Sequence, residues 1–372
     1  MASFDDKSTL AATRARISQL DADMQKLQRV MHSLLAERKK CQQVLADYTY
    51  PILTLPSEIT SEIFLYFLPP YPQRPSFWGY QSPSFLLRIC RRWRDVALTT
   101  PALWSGVQLT IDPQRHVRQS RLLDMWLQRS RNCPLSIQLG YSEELMPSED
   151  EEDEDEEGFV ESLRSHAMRW QEMDISLPLD NLRKITGSMP LLRRLTIGVD
   201  RWDTETPLAL FTDAPALKHV VLRSSFTPFI VALPWSQLTT LTLEGLFANE
   251  AVEMLRQTSM LQDLTVTIHN GQPPTYFSIP PLPLRSLKLH YYRPGADEYH
   301  QLFKALQLPM LQTLSVHEEF LGPNPVASLF ALRPNGYPQE IQILGARTSR
   351  ETYAAAFPLA SLSVYVTPYV VI

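Results

Sequence analysis

The chain of 372 residues reads as a mixed α plus α/β protein: one long N-terminal helix, a small helical module, and a repetitive domain built on a parallel sheet. Three observations carry this. Residues 10–47 hold no Pro or Gly, a compact run of apolar helical anchors occupies 51–105, and beyond residue 160 one apolar phrase recurs at nearly fixed spacing. Hydrophobic residues at 44% and charged residues at 20% are ordinary for a folded chain of this length.

From Leu10 to Asp47 the sequence is rich in Ala, Leu, Gln, Lys and Arg, which lose little side-chain freedom in a helix. With Ile17 at heptad position a, Leu20, Met24, Leu27, Met31, Leu34, Cys41 and Leu45 fall at successive a and d positions, and Arg38 is the one break. Val30 at g and Leu35 at e widen the stripe. Docking of this helix on its own chain and self-association through the seam both fit the pattern.

Next, Pro56 suits a first helical turn, Glu58 favours the positive helix start, and Pro69-Pro70 ends the element, predicting a helix from Pro56 to Leu68. Ile59, Ile63 and Phe67 repeat at i, i+4 and i+8 with Phe64 and Leu68 alongside. After a proline-rich loop, Ser84 is placed to cap a second helix carrying Leu86, Ile89, Cys90, Trp93 and Ala97, with Arg88, Arg91, Arg92, Arg94 and Asp95 on its outer side. Pro101 breaks it, and Trp104 anchors the approach to a first strand, Val107 to Ile111.

The ordered anchors Leu55-Pro56-x-Glu58-Ile59, Ile63-Phe64, Leu68, Ile89-Cys90-x-x-Trp93-x-x-Val96-Ala97 and Pro101-x-Leu103-Trp104 resemble an F-box over residues 51–105, in particular the fungal type preceded by a short heptad helix. The resemblance implies a three-helix module that buries an apolar face against a Skp-type adaptor of a cullin-RING ubiquitin ligase. It implies adaptor-binding roles for Leu55, Pro56, Glu58, Ile59, Ile63, Phe64, Leu68, Leu86, Ile89, Cys90 and Trp93, about half of them facing the partner and the rest holding the helices together. The loop from Pro69 to Pro83 is longer than the usual link, and Ile89 replaces the commoner valine.

Residues 106–140 read as a bridging segment. Residues 141–160 contain the run Glu143 to Glu157, which holds 11 of the 40 acidic residues and is too charged to bury; an acidic loop is expected there. Without that run, 35 basic residues outnumber 29 acidic ones, a bias too small to indicate nucleic acid.

Over 161–372 the phrase is a large apolar residue, two variable residues, an apolar one, a variable one and another apolar one. It occurs as Leu192-Leu195-Ile197, Leu217-Val220-Leu222, Leu238-Leu241-Leu243, Leu261-Leu264-Val266, Leu284-Leu287-Leu289 and Leu311-Leu314-Val316, with starts 25, 21, 23, 23 and 27 residues apart. Weaker copies are Trp170-Met173-Ile175, Pro338-Ile341-Ile343 and Leu359-Leu362-Val364. The last two apolar positions lie on one side of a strand, so stacked copies build a continuous core. The pattern resembles leucine-rich repeats, although the expected Asn or Cys after the phrase is absent, leaving the array irregular. The positions between core residues should face a target protein: Arg194, His219, Arg223, Thr240, Thr242, Lys288, His290 and His317. The basic start of this strip suggests an acidic or phosphorylated target.

No nucleophile elbow, P-loop, dinucleotide fingerprint or zinc-protease motif is present, and Cys41, Cys90 and Cys133 form no CxxC pair. The expectation is a non-enzymatic protein without cofactor or metal, cytoplasmic or nuclear, since the acidic start MASFDDK lacks a secretory pattern. The expected role is substrate reception for an SCF-type (Skp-cullin-F-box) ubiquitin ligase. An interaction protein that binds the adaptor without joining a ligase is the alternative.

Overall fold

A computed structural model describes residues 4–48, 50–70, 72–112, 114–141, 157–198, 211–223, 232–269, 279–291, 298–332 and 337–366. The chain divides into two units, residues 1–60 and 61–372. In the first, α1 (Phe4–Asp47) is one uninterrupted helix, as the absence of breakers dictates. All its heptad-seam residues from Ile17 to Leu45 are exposed.

The helical module is shorter in its elements than its pattern suggested. The helix expected over Pro56 to Leu68 is α2 (Ser57–Leu65), continued by a loose turn in which the Phe67 and Leu68 amides donate to Phe64 and Leu65 carbonyls. The second expected helix is broken: residues Pro83–Arg88 form a 3-10 turn capped by Ser82 Oγ, which accepts from the Ser84 amide at 3.2 Å, so the cap is Ser82 and not Ser84. The chain then re-enters α3 (Arg91–Leu98) with Cys90 at its N-cap, Sγ accepting from the Trp93 amide at 3.5 Å. The extended backbone at Cys90 is what stops one helix from running through. Leu103 and Trp104 are fully buried, and the Trp104 indole N–H donates to the Ala97 carbonyl at 2.9 Å, tying α3 to the turn that leads into the first strand.

Among the described residues, unit 2 is dominated by one parallel sheet of eleven strands in strict sequence order. Its members are β1 (Gly106–Ile111), β2 (Leu135–Tyr141), β3 (Trp170–Ser176), β4 (Arg194–Gly198), β5 (His219–Arg223), β6 (Thr240–Leu246), β7 (Asp263–Ile268), β8 (Ser286–Tyr291), β9 (Thr313–His317), β10 (Glu340–Leu344) and β11 (Ser361–Val364). Every one of the nine phrases is a strand, and the phrase positions pair with one another: Met173, Leu195, Val220, Leu241, Leu264, Leu287, Leu314, Ile341 and Leu362 form one register column. Full burial of a Leu, Ile or Val in such a column contributes about 1.5–3 kcal/mol. On the opposite face the positions of β5 and β7 are partly buried or exposed, whereas in β9 Ser315 and His317 are buried. Short helices fill the connections, among them α4 (His116–Arg129), α5 (Glu157–Arg164), α6 (Leu179–Lys184), α7 (Ala248–Gln257), α8 (Glu298–Ala305), α9 (Pro325–Leu332) and α10 (Arg350–Ala356).

Two boundaries shift. Residues 106–140, expected as a bridge, supply β1 and β2 as full members of the sheet, with Val107 and Leu109 paired to Ile137 and Leu139. The acidic loop falls mostly outside the described residues. Its expected last residues are structured instead: α5 begins at Glu157, and Phe159 and Val160 are buried because they pack in the core.

The long proline-rich link has a structural role. Its Ser76 makes a parallel bridge to Gln108, with the Phe77 amide donating to the Gln108 carbonyl and the Gln108 amide to the Pro75 carbonyl, both at 2.9 Å. Phe77 is buried against Trp126 of α4, the rings stacked with centroids 5.2 Å apart. An open sheet edge is a template for unwanted pairing. The link straps itself along β1 and occupies part of that edge.

Candidate protein-docking surfaces

The anchors of the helical module separate into two sets by burial. Phe64 and Leu86 are 2% and 3% exposed and belong to the core, which places them among the anchors that hold the module together. Trp93 is half-buried, its ring 5.0 Å from that of Phe64, and Leu68 packs on the same core. Leu55 and Cys90 are half-buried. Pro56, Glu58, Ile59, Ile63 and Ile89 are exposed.

Ile59 and Ile63 are 50% and 43% exposed, and Ile89 is 48% exposed. One helical turn separates Ile59 from Ile63, so they share one face of α2. β-Branched aliphatic side chains left in water on consecutive turns cost hydrophobic free energy that a partner would recover. Tyr66, at 90% exposed, stands at the end of the same helix.

The second surface is the open face of the sheet. Register places Arg194, His219 and Thr240 in one column, flanked by Glu172 and Asp263. Thr242, Thr265 and Lys288 form the next. The expected basic start is neutralised: Arg194 Nη1 donates to Glu172 Oε1 at 2.7 Å and Arg223 Nη1 to Asp174 Oδ1 at 3.4 Å. Arg74 from the strap reaches the same place. Its Nε donates to Ser136 Oγ at 2.8 Å, and Ser136 Oγ in turn donates to Glu172 Oε2 at 3.2 Å.

Arg74, Glu172, Asp174 and Arg194, with Gln108, Gln138 and Thr196, line an open hollow of about 430 Å³. Arg74, Glu172 and Asp174 are the functional candidates that sequence reasoning missed. Glu172 and Asp174 sit between the core positions of the weak phrase Trp170-Met173-Ile175, which is the signal that could have found them. Arg74, in the loop, carried none.

The histidines behave differently from exposed strand residues. Burial first, then the adjacent Arg194, hold the His219 imidazole below its ordinary range, so it adds no charge near neutrality. His317 is 0% exposed, its ring 4.1 Å from that of Tyr291 and 5.4 Å from that of His290, and it cannot meet a target. Burial, with His317 and Lys288 nearby, pushes His290 down to about 4. Thr240 and Thr242 are half-buried and Lys288 is exposed, so these remain accessible from the open face.

Among the described residues no three His, Cys, Asp or Glu side chains are grouped to hold a metal ion, and no helix is long and apolar enough to cross a membrane. Compared with models of known protein families and with curated proteins, the chain matches none of them.

Proposed function

We propose that this protein is the substrate-recognition subunit of an SCF-type ubiquitin ligase, binding a Skp-type adaptor through an F-box at residues 51–105 and a target protein through an irregular leucine-rich-repeat-like array. The observation that carries this reading is the pair Ile59 and Ile63 left exposed on one face of α2, inside a motif whose anchors Phe64, Val96, Ala97, Leu103 and Trp104 are buried in the core. Burial of that face against the adaptor is the work of the module. No bond is made or broken by this chain; it raises the effective concentration of its target near a ubiquitin-charged enzyme.

The strap gives the proposal a geometric element. Phe77 and the two hydrogen bonds between the link and Gln108 join residues 61–104 to the sheet within a single unit. On the target side, an acidic segment would have to displace Glu172 and Asp174 from Arg194 and Arg223. A polar or mixed-charge segment fits the hollow better, pairing with both signs of charge without stripping either.

Co-purification tests the proposal. The wild-type chain should retain a Skp-type adaptor and, through it, a cullin. Leu55→Ala combined with Pro56→Ala should lose both while the sheet stays folded. Adaptor capture without cullin would favour an interaction protein outside the ligase, and unchanged capture by the double variant would remove the F-box reading.

A further inference from the structure

The apolar seam of α1 is an exposed surface that the proposed function does not use. Ile17, Leu20, Met24, Leu27, Met31 and Leu34 are between 45% and 67% exposed, and Val30 and Leu35 flank them at 49% each. Over Ile17 to Leu45 the pattern holds for about four heptads, the length at which a heptad pattern indicates a coiled coil. Leu10, one heptad earlier, continues the a column and is 52% exposed.

We propose that α1 pairs with α1 of a second copy of this chain as a parallel, in-register, two-stranded coiled coil, making the protein a dimer. The proposal does not rest on the adaptor reading. Three features select this occupant over others.

First, the flanks complement themselves. In a parallel pair, each g residue meets the e residue five positions later on the other chain. That rule matches Arg16 with Asp21, Asp23 with Gln28, Val30 with Leu35, and Glu37 with Gln42. One match is an ion pair, one is apolar on both sides, and none sets like charges together. The two residues that widen the stripe beyond a strict seam are thus each other's partners.

Second, Leu20, Leu27 and Leu34 occupy consecutive d positions, and Ile17 is β-branched at a, the combination that favours two strands. Third, Arg38 sits at an a position. A single cationic residue there lowers stability but penalises higher oligomers and shifted registers, because only a dimer in register leaves its head group beside solvent, next to Glu37 of the other chain. Dimerisation would place two target surfaces on one particle, so a target with two sites, or a target that is itself dimeric, would be held by avidity.

The register makes Cys41 a built-in probe. It is a free, exposed thiol at a d position. In a parallel, in-register pair the two Cys41 residues face each other in one layer, within the range a disulfide spans. An antiparallel pair over the same seam would separate them by roughly 30 Å.

The test uses the full chain. Light scattering should give twice the chain mass. Thiol–disulfide exchange with oxidised glutathione should convert each Cys41 pair into one disulfide, releasing two glutathione thiols, and the covalent dimer should be absent in Cys41→Ser. Leu27→Asp with Leu34→Asp should halve the mass while circular dichroism shows the sheet retained. A wild-type monomer, a mass above a dimer, a dimer that survives the double Asp variant, or a dimer whose Cys41 residues do not cross-link would each overturn the proposal.

Discussion

Replacing Phe77 by alanine probes the strap that joins the helical module to the sheet. Phe77 is 4% exposed and stacks on Trp126 at 5.2 Å with an interplanar angle of 26°. A buried Phe→Ala change costs about 3–5 kcal/mol, and loss of an aromatic pair adds on the order of 1 kcal/mol where the ring is well packed. The strap is peripheral and can relax into part of the space, so the expected loss is about 3 kcal/mol. Trp78 is the control. It lies next in sequence, is 51% exposed and touches Phe77 edge-on at 4.7 Å, so Trp78→Ala should cost under about 1 kcal/mol. Urea unfolding monitored by far-UV circular dichroism measures both. Amide exchange at Gln108 should quicken in Phe77→Ala, because its partner, the Pro75 carbonyl, is held by the strap. Equal losses for the two variants, or a loss below about 1 kcal/mol for Phe77→Ala, would show that the link does not depend on this ring.

Two further outcomes concern buried ionisable groups. His290 is held neutral with its folded value near 4, below the ordinary imidazole value of 6.5, so the unfolded chain binds the proton more tightly. Stability contributed by the neutral ring should be intact above pH 6.5 and fall as pH drops toward 4, by on the order of 2 kcal/mol after discounting for solvent screening; a His290→Gln variant should flatten that part of a denaturation-against-pH curve. Glu318 is buried between β9 and α10. Burial acts to raise its carboxyl, but hydrogen bonds from Thr348, the Arg347 amide and the Tyr353 hydroxyl outweigh this and hold it below the usual range. Its Oε1 accepts from Tyr353 at 2.7 Å and from the Thr348 amide at 3.0 Å, so Glu318→Ala, which strands these donors, should cost about 3 kcal/mol by denaturant titration and Tyr353→Phe less.

The sheet was legible because its phrase recurs every 21–27 residues, and a strand core needs only the type and spacing of its apolar residues. β1 and β2 obey the same rule, as Trp104-Val107-Leu109 and Pro134-Ile137-Leu139, yet the fourteen-residue α4 and the acidic tract stretch their spacing past that window. In the helical module the pattern could not separate Ile63 from Phe64. They are adjacent and equally apolar, and only the packing of Phe64 on Trp93 decides which one turns inward. Cys90 read as one more apolar helical residue, whereas its thiol caps the helix that begins after it. The sign of the sheet's first strands was misread for a different reason: the Arg194–Glu172 pair exists only through strand register, between residues 22 apart. His317 looked exposed because its burial comes from Tyr291 on the neighbouring strand.

The central claim is tested most directly by titrating a purified Skp-type adaptor into this chain by calorimetry. Saturable binding at one adaptor per chain is expected, with a negative heat-capacity change from buried apolar surface. Ile59→Asp with Ile63→Asp should abolish it, because each places a charge in the apolar contact while both side chains lie outside the folded core. Absence of binding by the wild type, or binding that the double variant leaves unchanged, would contradict the assignment of the α2 face as an adaptor-docking surface.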